Sequence, residues 1–392
     1  MTKKLCTNVT EMQPSLIRKY FDIVAKMNSD KIISLGIGEP DFHTPPYISD
    51  AGIKSIHGGK TFYTPNAGIP ELRQEIAGFM KKHYNLKYDP SGEIIVTVGA
   101  TEGIDGAFRT LLNYGDEVLI PEPAFVQYDP CVRMAGGIPV PINLSGDNDF
   151  KLTAQQIEEK LTDKTKVLLL SYPSNPTGAI MTEKDLAGIV DVIIKNDLYV
   201  ISDEIYSELT YAGKHVSIAS FKGMRERTLV CNGFSKTYAM TGWRLGYIAG
   251  PAEIITHTMK VHQFAVTSAS TASQYAGVEA IRNGEDDIVF MRGEYDRKRK
   301  YILERFEKMG LPCFEGQGAF YLMPYVGCFG MDGEEFADRL LQEQLVAVVP
   351  GRAFGESGRD YIRIAYPISM EKLEEAMDRM EIFVNSLTRL EQ

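Results

Sequence analysis

Between about residues 94 and 265, short β-branched apolar runs alternate with segments of helical spacing. Parallel strands cannot be joined by a tight hairpin and need a long crossover, usually a helix. This alternation therefore restricts the region to βα units around a mainly parallel sheet with helices on both faces. The strand candidates lie at 94–98, 118–120, 167–170, 199–202, 229–231 and 245–249. Between them, Thr153 opens TAQQIEEKL with Gln156 three positions on, the pattern in which each side chain of a capping box bonds the other residue's amide. After about residue 285 the texture changes: a charged stretch, GEYDRKRKYILERFEKMG, precedes GAFYLMPYV, VAVVPG, YIRIAYP and a last helical segment. This reads as a second, smaller α+β domain. The expected organisation is an arm over 1–45 packing on the small domain or on a partner subunit, a large domain over 46–285 and a small domain over 286–392.

A chain of 392 residues that is 44% hydrophobic can bury a large core. Its formal net charge of −10, with no Lys/Arg cluster that reads as a basic stripe, speaks against nucleic acid and acidic lipid as expected partners. The five cysteines, Cys6, Cys131, Cys231, Cys313 and Cys328, are scattered and form no CxxC pair. Neither a disulfide framework nor a metal site is expected from them, and a reducing cytoplasm suits them. The N-terminus MTKKLCTNVTEMQPS has no apolar stretch, and no run elsewhere is long enough to cross a bilayer.

Within this frame several chemically capable residues fall just beyond strand candidates, where an α/β sheet offers its ligand crevice. Lys236 stands in CNGFSKTYAMTGWRLGY after the run 229–231, and Asp203 ends the run LYVISDEIY. Asn175 lies in SYPSNPTG, Tyr206 three residues beyond Asp203, and Phe125 in EPAFVQY. The junction VTVGATEGI places Gly99, Ala100 and Thr101 where their amides would open a helix, and Arg244 follows in TGWRLGY. Taken singly, each fits an ordinary structural role: a loop lysine, a turn aspartate, core aromatics. Together they supply a nucleophilic amine, a buried anion, hydrogen-bond donors, an aromatic face and a phosphate cradle at a helix N-terminus. These are the demands of pyridoxal 5'-phosphate, whose aldehyde takes the amine and whose pyridine nitrogen stays protonated beside the anion. Asn175 and Tyr206 would then reach the ring's 3-oxygen, and Phe125 would stack on its face.

The motifs SLGIGEPDF, YTPNAGIPELR, VTVGATEGI, YPSNPTGAI, ISDEIY, NGFSKTYAMTGWRLGY and YIRIAY, spread over nearly the whole chain, resemble those of fold-type I aminotransferases of classes I and II, with wording closest to the aromatic-amino-acid branch. The resemblance implies an α/β fold with a mainly parallel sheet of the seven-stranded type between helices, and a smaller α+β domain. It places the Schiff-base lysine at Lys236 and the pyridine partner at Asp203. Tyr206 and Asn175 fall to the 3-oxygen, Gly99, Ala100, Thr101 and Arg244 to the phosphate, and Phe125 to the ring. Tyr63 would cross a homodimer interface to the neighbouring subunit's phosphate. Arg363, which by itself reads as a surface strand arginine, is assigned the substrate carboxylate with Asn175 and the backbone of Gly38. One departure is Gly233, where relatives often carry a hydroxyl ligand for the phosphate; Ser235 is the substitute. The implied reaction is a ping-pong transfer of an α-amino group, from an aromatic or a broad range of L-amino acids, to a 2-oxo acid such as 2-oxoglutarate, with Lys236, Asp203 and Tyr206 in the catalytic roles. The alternatives within the fold are a carbon–sulfur β-lyase and aminotransferases for aspartate, alanine or an acylated diaminopimelate. A non-catalytic regulator module would be expected to carry a winged helix ahead of residue 30, and none is read there.

Overall fold

The computed structural model describes residues 4–12, 16–27, 29 and 31–389. Its strands are β1 (Ile33–Ser34), β2 (Ile94–Thr97), β3 (Glu117–Glu122), β4 (Ile138–Asn143), β5 (Thr165–Ser171), β6 (Tyr199–Asp203), β7 (Thr228–Gly233), β8 (Gly246–Ala249), β9 (Tyr321–Leu322), β10 (Val346–Ala347), β11 (Val349–Pro350) and β12 (Ile362–Ala365). β2 to β8 form a seven-stranded sheet in the order β2-β8-β7-β6-β5-β3-β4. It is parallel except at β8, which runs against both β2 and β7.

Side chains alternate across a strand, and here both faces are apolar because both are covered. Val118, Ile120, Val167, Leu169, Ile201 and Leu229 pack with Ile104 and Phe108 of the helix Gly99–Leu111. On the opposite face Leu119, Leu168, Leu170 and Val200 meet Ile189 and Ile193 of the helix Glu183–Lys195. The capping box of Thr153 and Gln156 is formed at the helix Ala154–Glu158.

β4 is absent from the sequence-derived strands. Its segment IPVPIN holds two prolines, which cannot donate to a ladder on both sides, and the search for unbroken β-branched runs passes over it. The structure places it at the sheet edge, paired only with β3, where a missing N–H faces no second strand.

The second core gathers Tyr295, Ile302, Phe306, Phe320, Phe336, Ile364 and Phe383, and the described part of the N-terminal arm joins it through Tyr20, Ile33 and Leu35. β1 pairs in parallel with β10, and Tyr20 Oη donates to Asp338 at 2.9 Å. The long helix Glu285–Met309 starts against the large core at Ile288 and continues into the second one at Met291. No helix among the described residues is long and apolar enough to cross a membrane.

β8 passes unusually close to the head of the helix Gly99–Leu111. A Cβ on Gly246 would lie 2.5 Å from the Ala100 amide nitrogen, nearer than a carbon can approach. Replacing Gly246 with Ala is expected to cost about 1–3 kcal/mol by overpacking, read as a fall of a few degrees in Tm. An unchanged melting curve would show that the two elements have slack between them.

Candidate active site

The carboxyl ends of β5, β6 and β7 face β9 and β12 of the small domain across a cavity of about 400 Å³. Gly38, Ala100, Thr101, Phe125, Asn175, Asp203, Tyr206, Ser235, Lys236, Arg244 and Arg363 all line it. Gly99 adjoins them against Arg244. Tyr63 is not among them: its side chain is 88% exposed on the surface.

Lys236 sits on the short helical turn Phe234–Thr237 that follows β7, and its Nζ donates to Gly38 O at 2.8 Å. The side chain keeps some contact with the open cavity, but its amine is enclosed by protein. Burial first, opposed by Glu39 and aided by Arg244 and Arg363, pulls the amine down to about 8. A larger share of it is therefore the free base near neutrality than for an ordinary lysine.

Asp203 closes β6 and is buried. One oxygen accepts from Tyr128 Oη at 2.7 Å and the other from the Ile205 amide at 3.2 Å. Burial outweighs these donors and pushes the carboxyl up to about 6. No cation among the described residues pairs with it. Tyr128 also meets the ring of Phe125 edge-on, with centroids 5.7 Å apart.

At the head of the helix Gly99–Leu111 the first amides and the Arg244 guanidinium converge. Gly99 has φ +73°, and a Cβ there would fall 2.6 Å from Arg244 Nη2, so only glycine leaves this concavity open. Arg244 is steadied by its own hydrogen bond to Thr241 O at 3.1 Å. At Gly233 the backbone is extended and unstrained, but a side chain would crowd Gly246 Cα and Leu245 O at 3.0 Å each. Close packing of β8 thus leaves a side chain at 233 little room, while Ser235 lines the cavity.

Arg363 is 3% exposed, which corrects its reading from sequence as a surface residue. Its guanidinium lies between the rings of Tyr321 and Phe354, 4.6 and 4.8 Å from their centroids. Nη1 donates to Asn175 Oδ1 at 3.1 Å and Nη2 to Gly36 O, while Nε is buried without a partner among the described residues. Tyr206 and Tyr321 share a phenol–phenol hydrogen bond of 2.7 Å. Gly38 lies directly under Tyr321, whose Oη would be 2.3 Å from a Cβ there.

Sequence reasoning missed Tyr128, Tyr321 and Phe354. Tyr128 had a signal, three residues past Phe125 in the same motif, but an aromatic at that spacing is more often core. Tyr321 and Phe354 gave none, because their roles exist only where the small domain meets the sheet.

The sequence model of the family described as Aminotransferase class I and II matches residues 30–380. The chain belongs to this family. An aspartate aminotransferase of Pyrococcus abyssi is 48% identical to this aminotransferase, the match covering 94% of this chain and 95% of that protein. An aromatic-amino-acid aminotransferase of Thermococcus litoralis is 44% identical over 94% and 95% of the two chains. The crystal structure of an aromatic aminotransferase from Pyrococcus horikoshii superposes with a TM-score of 0.89 at 44% identity, covering 93% of this chain and 98% of that one.

Membership makes the protein a fold-type I, pyridoxal-phosphate-dependent transaminase, and its cavity fits that cofactor. The concavity at Gly99 and Arg244 suits a phosphate, the free-base tendency of Lys236 suits an aldehyde, and Asp203 lacks only the cation that a protonated pyridine nitrogen would bring. The last point gives a test on the cofactor-free protein. With the folded carboxyl near 6 against an ordinary 3.8, ionising Asp203 destabilises the fold progressively from about pH 3.8, and the cost is complete above about 6. Asp203→Asn should therefore raise the apoprotein's Tm at pH 8, by up to about 3 kcal/mol of stability, and change it little near pH 4. Thermal melts at the two pH values check this, and equal shifts would contradict it.

Proposed function

We propose that this aminotransferase moves the α-amino group of an L-amino acid, aromatic or of broad range, to a 2-oxo acid such as 2-oxoglutarate in two half-reactions at one site. The observation that carries this reading is a lysine of lowered basicity in one cavity with two buried, incompletely paired groups, the Asp203 carboxylate and the Arg363 guanidinium. When bound, pyridoxal phosphate supplies an electron sink for the charge left at the amino acid's α-carbon.

The protein's own residues do the rest. Lys236 would hold the cofactor, and its Nζ when free would take the α-proton; a positioned base of this kind contributes roughly 10²–10⁴-fold. Asp203, kept ionised by the pyridine N–H, stabilises the developing charge, and Tyr128 orients it. Tyr206 and Asn175 donate to the ring oxygen, and Phe125 walls the ring. Gly99, Ala100, Thr101, Ser235 and Arg244 hold the phosphate, joined by Tyr63 of the second subunit in a homodimer. The exposure of both Phe62 and Tyr63, 82% and 88%, supports such an interface. Arg363, flattened between two rings and with Nε to spare, binds the substrate carboxylate beside Asn175 and Gly38.

The preference for apolar side chains rests on the walls. Ile17, Ile37 and Tyr321 also line the cavity, and the cations lining it among the described residues are Lys236, Arg244 and Arg363, which the cofactor and the α-carboxylate would take up. The 48% identity to a protein named aspartate aminotransferase supports the second reading, a dicarboxylic donor. The free cysteines suit a cytoplasmic enzyme.

A half-reaction panel with cofactor-loaded protein, read as conversion of the cofactor's absorbance to that of its amine form, separates these readings. L-phenylalanine and L-tyrosine are expected to convert fastest. L-aspartate outrunning them would favour the second reading, steady release of pyruvate and ammonia from cysteine would favour a β-lyase, and no conversion with any amino acid would sink transamination. Arg363→Gln is expected to raise the donor's KM about 100-fold, equivalent to ~3 kcal/mol, while leaving the spectrum of the bound cofactor in place. A lost spectrum instead would make Arg363 a structural residue.

A further inference from the structure

Beside the cavity of Lys236 lies a second one of about 720 Å³, and the two share Phe125 and Tyr128 as a common wall. Glu122, at the end of β3, lines this second space. Its backbone is fixed by the sheet, its carbonyl accepting from the Leu144 amide at 2.8 Å. Its side chain turns onto the small-domain loop 351–358. A Cβ on Gly355 would fall 2.2 Å from Glu122 Oε2, and Gly355 has φ +124°, a conformation that glycine alone adopts readily. The Glu356 backbone favours the ionised form of the same carboxyl. Two residues after Glu122, the Ala124 amide donates to Phe354 O at 2.7 Å. Phe354 is the ring that lies on Arg363, and the next residue after Ala124 is Phe125.

We propose that Glu122 is a positioning residue: its carboxyl, seated on Gly355, clasps the loop that holds Phe354 over Arg363 to the strand end that carries Phe125, fixing the distance between substrate carboxylate and cofactor ring. Its consequence for catalysis rests on the transaminase reading above, whereas the clasp itself is a contact between two parts of the fold.

The charged groups facing Glu122 make the clasp sensitive to pH. From the helix Tyr128–Met134 come Asp129 and Arg133, which pair with each other at 2.7 Å. From the loop come Arg352 and Glu356, paired at 3.0 Å, and Glu11 of the N-terminal segment lines the same cavity. No cation among the described residues pairs with Glu122 itself. Burial first and the Asp129 charge second push its carboxyl up to about 7; the Glu356 backbone opposes them and the Glu356 charge adds to them. Because an ordinary glutamate titrates near 4.5, the seated carboxyl holds its proton more tightly than the released one. Seating is therefore strongest below about 4.5, weakens as pH rises, and is weakest above about 7.

Amide hydrogen exchange of the peptide spanning 351–361, in cofactor-loaded wild type and E122Q, tests the clasp; a neutral amide keeps the shape and cannot ionise. The wild-type to E122Q exchange ratio, from which intrinsic pH effects cancel, is expected to rise about fivefold or more between pH 5.5 and 8. Over the same interval the donor's KM should rise in wild type and stay flat in E122Q, with kcat changing less. A ratio that does not vary with pH overturns the proposal. If E122Q does not fold, E122D, which keeps the charge and loses the reach, replaces it: its exchange should exceed that of wild type by a factor that shrinks toward pH 8, and a constant factor again overturns the proposal. Exchange that responds in a protein showing no transamination would leave the clasp standing and remove the substrate reading. Transamination with unresponsive exchange would do the reverse.

Discussion

A carboxylate with no cation partner among the described residues, Asp203, is the constraint on which the site depends. Asp203 is buried at the end of β6, held by a phenol and a backbone amide, and its surroundings do not satisfy its charge. Leaving an ion in that state is costly in a low-dielectric interior, and the energy is recovered only when a positively charged partner arrives. The elements around it follow from that need. Parallel strands deliver their carboxyl ends to one edge, helix Gly99–Leu111 turns its amino end to the same edge, and Lys236 follows the next strand over. The fold tolerates the unpaired charge because covering both faces of the sheet provides a large apolar core elsewhere.

The small domain answers with a second poorly satisfied group of opposite sign. Arg363 is as buried as Asp203, with two aromatic rings close to its guanidinium and one N–H unmatched among the described residues. The two groups line one cavity with Lys236, so charges of both signs are in place before any ligand enters. Preorganisation of this kind is useful in catalysis because the dipoles and charges need not rearrange as the reaction proceeds. The aromatic packing around it, from Phe354 through Tyr321 to Tyr206, also fixes which way the arginine can point.

Much of this was legible in the sequence wherever one strand or one turn determines the outcome. The alternating runs gave six of the seven strands of the large sheet, and the Thr153 box formed where its spacing placed it. β4 escaped because its prolines are permitted by its edge position, which is a property of the whole sheet. At the site, residues following strands came together in one cavity, since the topology alone carries them there. What could not be read were contacts between distant segments. Arg363 has an unremarkable local sequence, and its burial is created by β9 and the loop bearing Phe354. Tyr63 shows the same limit from the other side: within the chain it stands in solvent, and its local sequence gives no reason for that.

The helix Glu285–Met309 gives the two domains a common beam. Its 25 residues span roughly 37 Å at 1.5 Å per residue. Ile288 is embedded in one core and Met291, less than a turn further on, in the other. A rod held in one core at its first turn and in the other over the rest of its length sets the direction in which the second core leaves the first, so a bend near Ile288 would displace each later residue by an amount that grows with its distance along the helix.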